Sequence, residues 1–239
     1  MSKLNSAAVS VVALIVAIAA LVMSIMNCNK KSVDVAETLN NDPEIIINAM
    51  QNYEQKMRDN ALAQAQKLID DNIDAINNNP DSPVVGNKEG TVTIVEFFDF
   101  SCGYCHRLYP TLKNIIAKNP NVKVVLKELS FVSPTSAYAA KAALAANNQG
   151  KYAEVLDALM TSNGALTEAK IDELAVKAGV DLEQMKADMN SAKIDQIMKD
   201  TSELAAKIQV NGVPALVING KMVQTLDEGV IQSEIDAAK

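Results

Sequence analysis

The chain has 239 residues, of which 49% are hydrophobic and 21% charged, and its formal net charge at pH 7 is -7. This length allows one medium-sized domain and an extension. An acidic chain without a basic stripe excludes nucleic acid as an expected partner. Three cysteines are too few for a disulfide-stapled scaffold, so two of them close together are expected to be reactive rather than structural.

The N-terminal segment, residues 1–28, is strongly apolar. Residues 7–26 contain no charge, proline or glycine, and a helix of that length spans about 30 Å, the thickness of the hydrocarbon core of a bilayer. The segment therefore predicts an uncleaved membrane anchor. The alternative is a cleavable signal peptide, with Ala17–Ile18–Ala19 as its A-x-A site. Both interpretations predict an exported protein.

Cys28 follows this segment and lies far from the other two cysteines. A lipoprotein site requires a small residue before the cysteine, and Asn27 is too large for that role. We therefore interpret Cys28 as a free thiol at the membrane edge. Its role stays open.

Residues 29–81 are predicted to form a polar spacer, up to Asn41, and one amphipathic helix. Asp42 and Pro43 are typical of a helix start, because the carboxylate caps free amides and proline needs no amide hydrogen. Apolar residues then recur mostly three or four positions apart. They are Ile46, Met50, Tyr53, Met57, Ala61, Ala65, Leu68, Ile73 and Ile76. We expect this stripe to form a dimer or trimer through residues 43–79; packing on its own domain and a solvated stalk are the alternatives.

Residues 82–239 have the pattern of an α/β domain with an all-helical insertion at about 134–208. Runs rich in β-branched and aromatic residues predict the strands, and Asn219–Gly220 predicts a tight hairpin between the last two. The predicted strands are 91–100, 122–129, 215–218 and 221–223, and the predicted helices outside the insertion are 103–118 and 228–238.

The run Cys102–Gly103–Tyr104–Cys105–His106 lies at the junction of the first strand and the first helix. A thiol at a helix N-terminus faces free amides and the positive end of the helix dipole, which favour the thiolate. Cys102 is therefore the predicted nucleophile, and Cys105, one turn into the helix, the predicted resolving thiol. No metal site is predicted, because zinc needs more ligands than distant Cys28 and the single His106 supply.

Three segments with specific sequences occur together: Val95–Phe100 before Cys102–Cys105, Ser136–Ala140, and Gly212–Ala215 before Asn219–Gly220. With these segments the chain resembles the DsbA-like branch of the thioredoxin superfamily, over about residues 82–239. Its closest resemblance is to subfamilies that carry an extra N-terminal oligomerisation segment. The resemblance implies a thioredoxin fold with a helical insertion and thiol:disulfide exchange in an exported protein.

The resemblance also implies roles for residues outside the cysteine motif. Glu96 matches a buried acid that relays protons to the second cysteine, and burial raises the pKa of a carboxyl as that task requires. The alternative is a strand-end glutamate in solvent. Pro214 matches the cis-proline of the family, which presents the preceding backbone to an extended substrate strand. Val213 before it resembles the oxidases, since dedicated isomerases more often carry threonine there.

The residues next to the cysteines are interpreted as active-site support. Gly103 and Tyr104 separate the thiols, and the strongest oxidases of the family carry histidine at one of these positions. With Tyr104 instead, we expect a milder oxidant. His106 lies one helical turn after Cys102 and supplies positive charge when it is protonated; the alternative is a solvated helix position.

We therefore predict a protein disulfide oxidoreductase and isomerase of the bacterial periplasm that needs no cofactor. Residues 7–26 would tether it to the inner membrane, or it would be soluble after cleavage. Its predicted partners are unfolded or wrongly disulfide-bonded exported proteins and a membrane redox partner. Val213 favours oxidation of clients, whereas an oligomer that pairs active sites favours isomerisation, so both abilities are expected.

Three other functions fit parts of the sequence. A disulfide reductase would use the same thiols in the opposite direction. A c-type cytochrome would attach haem through C-x-x-C-H with His106 as axial ligand, but such domains are helical and need no strand before the motif. A tethered binding protein or chaperone would keep Cys102 and Cys105 as a structural disulfide.

Overall fold

The computed structural model describes residues 6–29, 35–223 and 225–238. The chain divides into two compact units, which meet in sequence between Asn60 and Ala61. The helices are α1 (Ser6–Asn29), α2 (Val35–Asn41), α3 (Glu44–Asp70), α4 (Ile73–Asn77), α5 (Gly103–Lys118), α6 (Ser136–Asn148), α7 (Tyr152–Met160), α8 (Glu168–Lys177), α9 (Leu182–Met189), α10 (Ala192–Lys207) and α11 (Glu228–Ala237). The strands are β1 (Val84–Gly86), β2 (Val92–Phe98), β3 (Val122–Glu128), β4 (Ala215–Ile218) and β5 (Lys221–Val223). The predicted domain bounds, after residues 28 and 81, stay predictions.

The first unit contains α1, α2 and α3 up to Asn60. Part of the segment predicted to be a polar spacer, 29–41, is helical, since α2 lies within it. In the ranges that the structure describes, no helix is long and apolar enough to cross a membrane, so the anchor predicted at residues 7–26 has no support there. The side chain of Cys28 lies outside the described part of the structure, and its predicted free thiol stays a prediction.

The predicted amphipathic stripe is divided between two environments. Its first half on α3 is exposed, at positions Ile46, Met50, Tyr53 and Met57. Its second half belongs to the second unit, where Ile76 is buried against Val95 and Phe97 of β2, as is Ile69, which is not a stripe residue but the neighbour of Leu68. A break at Asn72 separates α3 from α4, so the single predicted helix is two helices. The second half of the stripe therefore packs on its own domain, and the first half is exposed to solvent.

A buried lysine fixes the same segment to the sheet. The Nζ of Lys127 on β3 donates hydrogen bonds to the carbonyl of Ala75, at 2.9 Å, and to the hydroxyl of Ser82, at 2.8 Å. Lys127 is almost wholly buried, and a buried ammonium is stable only when such acceptors replace its water. Residues 69–82 are therefore part of the domain that carries the cysteines.

The Ile76→Ala substitution tests this packing. Removing a fully buried isoleucine side chain costs the transfer energy of its methyl groups and leaves a cavity, so we expect the free energy of unfolding to fall by about 3 kcal/mol. Val176→Ala, at an exposed position, is the control and should change it by less than about 0.5 kcal/mol. Urea unfolding measures both. Equal small losses would mean that α4 is not part of the core.

The sheet has the strand order β1-β3-β2-β4-β5. Strands β2 and β3 are parallel, with Glu96 opposite Leu126 and Phe98 opposite Glu128, while the other pairs are antiparallel. Every residue of β2 is buried, because apolar clusters cover both faces of the sheet. The active-site helix α5 packs on one face, and α4 and α10 contribute to the cover of the other.

Helices α6 to α10 follow one another between β3 and β4, in the range where residues 134–208 are predicted to form a helical insertion. Helix α6 is mostly alanine and is buried, because small side chains let neighbouring helices approach it closely. Side-chain oxygens of Thr167, Asp181 and Ser191 accept the free amides at the starts of α8, α9 and α10. These caps are the helix starts that sequence rules predict.

Candidate active site

Cys102 and Cys105 lie where β2 passes into α5. Cys102 is the N-cap of the helix, with an extended backbone, and Cys105 is in its first turn. Both are free thiols in the structure. Cys102 is 6% exposed, whereas Cys105 has no exposed surface. The two sulfurs therefore differ in access, and Cys102 is the one that a second molecule reaches first.

The thiol of Cys102 faces the backbone of a second segment. Its Sγ donates to the carbonyl oxygen of Val213 at 3.4 Å. The following peptide bond, Val213–Pro214, is cis, as the resemblance implies. Residues Tyr104, Val213 and Pro214 line one groove beside the thiol. The structure thus brings together four of the predicted site residues from two distant parts of the sequence.

Cys105 is held as a thiol. Burial raises its pKa far above the ordinary value, and the nearby Glu96 carboxylate and Cys102 raise it further, although a backbone amide at Asp99 acts in the opposite direction. A group with such a pKa attacks a disulfide only after its proton is removed. If Cys105 is the resolving thiol, as predicted, its attack on a mixed disulfide requires a proton acceptor close by.

Glu96 is a buried acid whose charge acts on Cys105. It lies on β2 with 3% of its surface exposed, and burial raises its pKa from 4.5 to about 8. Its Oε1 atom has no hydrogen-bond partner and is buried. Glu96 lines a cavity of about 750 Å³ together with Tyr109, Leu112, Leu126 and Asp157. The predicted burial of Glu96 is therefore observed, and the solvent-exposed alternative is wrong.

A second buried acid was missed by sequence reasoning. Glu128 lies on β3, and burial raises its pKa to about 7. The hydroxyl of Tyr152, also buried, donates to Glu128 Oε1, and burial together with this carboxylate raises the pKa of Tyr152 well above its ordinary value. The strand register places Glu128 two positions beyond Leu126, the partner of Glu96. The charged pair Lys127–Glu128 at the end of a strand gave no sign in the sequence that both side chains are buried.

His106 has two backbone partners. Its Nδ1 lies 2.9 Å from the carbonyl oxygen of Met160, at the end of α7, and its Nε2 lies 2.7 Å from that of Phe100. The ring is half-buried, so His106 is not the solvated helix position given as the alternative. It joins the segment before Cys102 to the helical insertion.

The two residues between the thiols face solvent. Tyr104 is exposed, and the guanidinium of Arg107 lies 4.2 Å from the centre of its ring. A Cβ atom on Gly103 would meet nothing within 4 Å. Neither residue is needed to fill the core, so both are free to contact a second protein. The functional roles of the predicted site residues stay predictions.

Comparison with known proteins agrees with this geometry. The family described as DSBA-like thioredoxin domain matches residues 93–229, more than half of the chain. The chain belongs to this family. The DSBA-like thioredoxin family carries out thiol–disulfide exchange, which is the chemistry that the two unequal sulfurs of Cys102 and Cys105 allow. A c-type cytochrome does not fit a chain of this family.

Each of three relatives matches more than half of the chain. The thiol:disulfide interchange protein DsbA of Salmonella typhimurium is 28% identical over 165 residues, which cover 65% of this chain and 77% of DsbA. The Na(+)/H(+) antiporter NhaA 1 of Salinispora arenicola is 30% identical over 140 residues, 58% of this chain but only 22% of the antiporter. A thioredoxin-like oxidoreductase from Silicibacter pomeroyi has a solved structure that is 36% identical, with a TM-score of 0.67 and coverage of 69% of this chain and 96% of that one.

Proposed function

We propose that the protein is an exported thiol:disulfide oxidoreductase that forms and isomerises disulfide bonds in client proteins. The observation that carries this proposal is the contact of 3.4 Å between Cys102 Sγ and the Val213 carbonyl, with Cys105 buried in the next turn. A client strand that pairs with the backbone at Val213 places its own sulfur beside Cys102. The thiols then exchange without any cofactor.

Oxidation of a client takes two exchanges. A client thiolate attacks Cys102 of the disulfide form; the Cys102–Cys105 bond breaks, a mixed disulfide forms, and Cys105 leaves with the electron pair. A second client thiolate then attacks the client sulfur of the mixed disulfide and releases Cys102 as a thiolate. The client has lost two electrons and two protons, and the enzyme has gained the two electrons.

Glu96 supplies and accepts the proton that Cys105 needs. With a pKa of about 8, Glu96 carries a proton at neutral pH and gives it to the Cys105 sulfur as that sulfur leaves. In the reverse reaction Cys105 must lose its proton before it attacks the mixed disulfide, and the Glu96 carboxylate takes it. The family resemblance implies this role for Glu96, and the burial of both groups supports it.

The direction of exchange depends on which redox partner or thiol pool sets the oxidation state of Cys102 and Cys105. A membrane redox partner that accepts two electrons from the reduced thiols would make the protein an oxidase. A pool that keeps the thiols partly reduced would let Cys102 attack wrong disulfides and rearrange them. A pool that is strongly reducing would make it a reductase, the alternative function. We propose the first two activities together, in the periplasm, because disulfides persist in oxidising compartments.

Refolding of ribonuclease tests the activity. Reduced ribonuclease reports oxidation and scrambled ribonuclease reports isomerisation, and we expect the full-length protein to accelerate both. The Cys102→Ser variant should accelerate neither. If the protein restores ribonuclease activity from reduced but not from scrambled ribonuclease, it is an oxidase and not an isomerase. If client disulfides are lost on balance in a glutathione buffer that contains both redox forms, it is a reductase.

We also propose that the protein forms a homo-oligomer through the exposed half of the stripe on α3. Within the first unit, Met50, Tyr53 and Met57 lie on one exposed face of that helix, and large apolar patches of this kind are rare on monomers. The proposed dimer or trimer would pair active sites and so favour isomerisation. The structure describes one chain, and the assembly is a proposal.

Charges on this face should separate the chains. Met50→Lys with Met57→Lys puts two ammonium groups into the proposed interface, and we expect the dissociation constant to rise at least about a hundredfold. Sedimentation velocity measures it. Asn48→Lys with Gln55→Lys, on the opposite face of the same helix, is the control and should assemble normally. Shortening the chain to begin near residue 81 is a poorer test, because it removes Ile69 and Ile76 from the core.

A monomeric wild-type chain at tens of micromolar would contradict the proposed assembly. So would dissociation by the control pair to the same extent. The scrambled-ribonuclease assay on the Met50→Lys, Met57→Lys protein then shows whether isomerisation depends on assembly, since oxidation of reduced ribonuclease should persist in the separated chains.

A further inference from the structure

Asp99 is a carboxylate with no exposed surface and no role in the exchange steps. Its Oδ1 accepts hydrogen bonds from the amide of Ser101 at 2.8 Å and the hydroxyl of Ser136 at 2.7 Å. Its Oδ2 accepts from the amides of Phe131 and Val132, both at 3.0 Å. Four donors are what a buried carboxylate needs to replace its lost water. Hydrogen bonds from three segments, Ser101, Phe131–Val132 and Ser136, therefore satisfy both carboxylate oxygens of Asp99.

The turn at Ser101 is about thirty residues from the neighbouring segments Phe131–Val132 and Ser136, and the three meet next to Cys102. Ser101 precedes Cys102, whose own amide donates to the Asp99 carbonyl at 2.9 Å. The hydroxyls of Ser101 and Ser133 lie 2.8 Å apart, and the Ser133 amide donates to the Ser136 hydroxyl at 2.9 Å. The turn before the nucleophile, the loop after β3 and the start of α6 are thus linked by one hydrogen-bond network.

The loop that Asp99 holds presents apolar side chains to solvent. Phe131 is 59% exposed and Val132 is 43% exposed, although the amides of both are fixed to the buried carboxylate. A free loop would have to be ordered when a partner binds, at a cost in entropy that a fixed loop avoids. Exposed aromatic side chains on a fixed backbone are typical of binding hot spots.

We infer that Asp99 is a positioning residue, which holds the Phe131–Val132 loop in a fixed relation to Cys102 so that an apolar client segment bound at the loop presents its sulfur to the thiol. This inference rests on the proposed function. It assigns to Asp99 an effect on the binding of protein clients. The rate at which Cys102 reacts with a small disulfide should not depend on the loop.

The test separates protein clients from a small disulfide. For Asp99→Asn, a nitrogen replaces one carboxylate oxygen, and in either orientation of the amide its N–H groups face at least one backbone N–H donor, so the link between the loop and the turn before Cys102 is broken. We expect KM for oxidation of reduced ribonuclease to rise about tenfold with kcat changed less than about twofold. Exchange with oxidised glutathione, which is too small to reach the loop, should change less than about twofold. Phe131→Ser with Val132→Ser should raise KM in the same way.

A double-mutant cycle tests whether the effect of Asp99 on KM depends on the apolar side chains of the Phe131–Val132 loop. If Asp99 acts through the loop, Asp99→Asn should add little to KM in a protein that already carries Phe131→Ser and Val132→Ser. Val176→Ser with Val230→Ser, at positions 50% and 44% exposed outside the network, is the matched control and should leave KM unchanged. Should Asp99→Asn fold poorly, Ser136→Ala removes a single donor and should give a smaller change in the same direction.

Three results would overturn the inference. They are an equal fall in both exchange reactions, an additive effect of Asp99→Asn in the cycle, and an unchanged KM in either the Asp99 or the loop variant. Absence of any exchange between the wild-type protein and oxidised glutathione is different, because it would refute the proposed function itself.

Discussion

Cys105→Ser is expected to turn the protein into a trap for its clients. Cys102 remains reactive at the N-cap of α5, so it still attacks a client disulfide and forms a mixed disulfide. The resolving thiol is gone, and the mixed disulfide persists until another thiol arrives. Net exchange should fall to the uncatalysed rate. Cys102→Ser should lose the same activity but capture nothing, because Cys105 is buried and its pKa is strongly raised.

The measurement is non-reducing electrophoresis of each variant after incubation with scrambled ribonuclease and quenching with an alkylating reagent, followed by mass spectrometry. All proteins carry Cys28→Ser, so that the third cysteine cannot form the adducts. Equal trapping by Cys102→Ser and Cys105→Ser would refute the division of roles. Trapping by Cys102→Ser alone would reverse it.

The sequence predicts the part of the fold in which local and non-local signals agree. The strand before Cys102, the helix that begins at Gly103 and the hairpin at Asn219–Gly220 all lie within two residues of their predicted bounds. Each has a strong local cause: a run of β-branched and aromatic residues, apolar residues at helical spacing, or a turn that needs positive φ, as at Asn219 and Gly220.

Features set by tertiary contacts were not predictable in this way. Strand β1 has three residues and exists because it pairs with β3, and the break between α3 and α4 brings Ile76 onto the sheet. The periodicity of the stripe is the same on both sides of that break. No local pattern distinguishes the half that packs inside its domain from the half that is exposed.

The same division between local sequence signals and tertiary contacts applies to the site residues. The cysteine spacing and the strand-to-helix junction identify Cys102 and Cys105, while Glu96 and Pro214 needed the family resemblance. Asp99 and Glu128 were missed, because a single acid in an apolar run has no partner visible in the sequence. Apart from the Ser101 amide, their donors lie more than twenty residues away and include Phe131 and Ser136 for Asp99 and Tyr152 for Glu128.

Glu96→Gln is expected to stabilise the protein at high pH and to slow its chemistry. Folding raises the pKa of Glu96 from 4.5 to about 8, so between these values the folded protein binds more protons than the unfolded chain. The wild-type free energy of unfolding therefore contains a favourable contribution below pH 4.5 that is lost as the pH rises to about 8. The loss amounts to at most roughly 5 kcal/mol, at about 1.4 kcal/mol for each pKa unit.

Glutamine has no charge to desolvate and does not lose this contribution. At pH 8 the reduced Glu96→Gln protein should therefore exceed the reduced wild type in free energy of unfolding by several kcal/mol, and at pH 4 the difference should be small. Urea unfolding across this range measures it. Glu128→Gln is the matched control, since the raised pKa of Glu128, about 7, makes the corresponding gain grow only up to about pH 7 and stay constant above it.

The same substitution removes the proposed proton acceptor of Cys105. Release of a trapped client by Cys105 should slow about a hundredfold in Glu96→Gln, within the usual contribution of a positioned acid or base. In the wild type this rate should rise with pH as the Glu96 carboxyl ionises, and in Glu96→Gln that rise should be absent. A variant that gains stability at pH 8 but resolves mixed disulfides at the wild-type rate would mean that the burial of Glu96 serves no proton transfer. The opposite result, slow resolution without the gain in stability, would mean that its carboxyl is hydrated through the adjoining cavity.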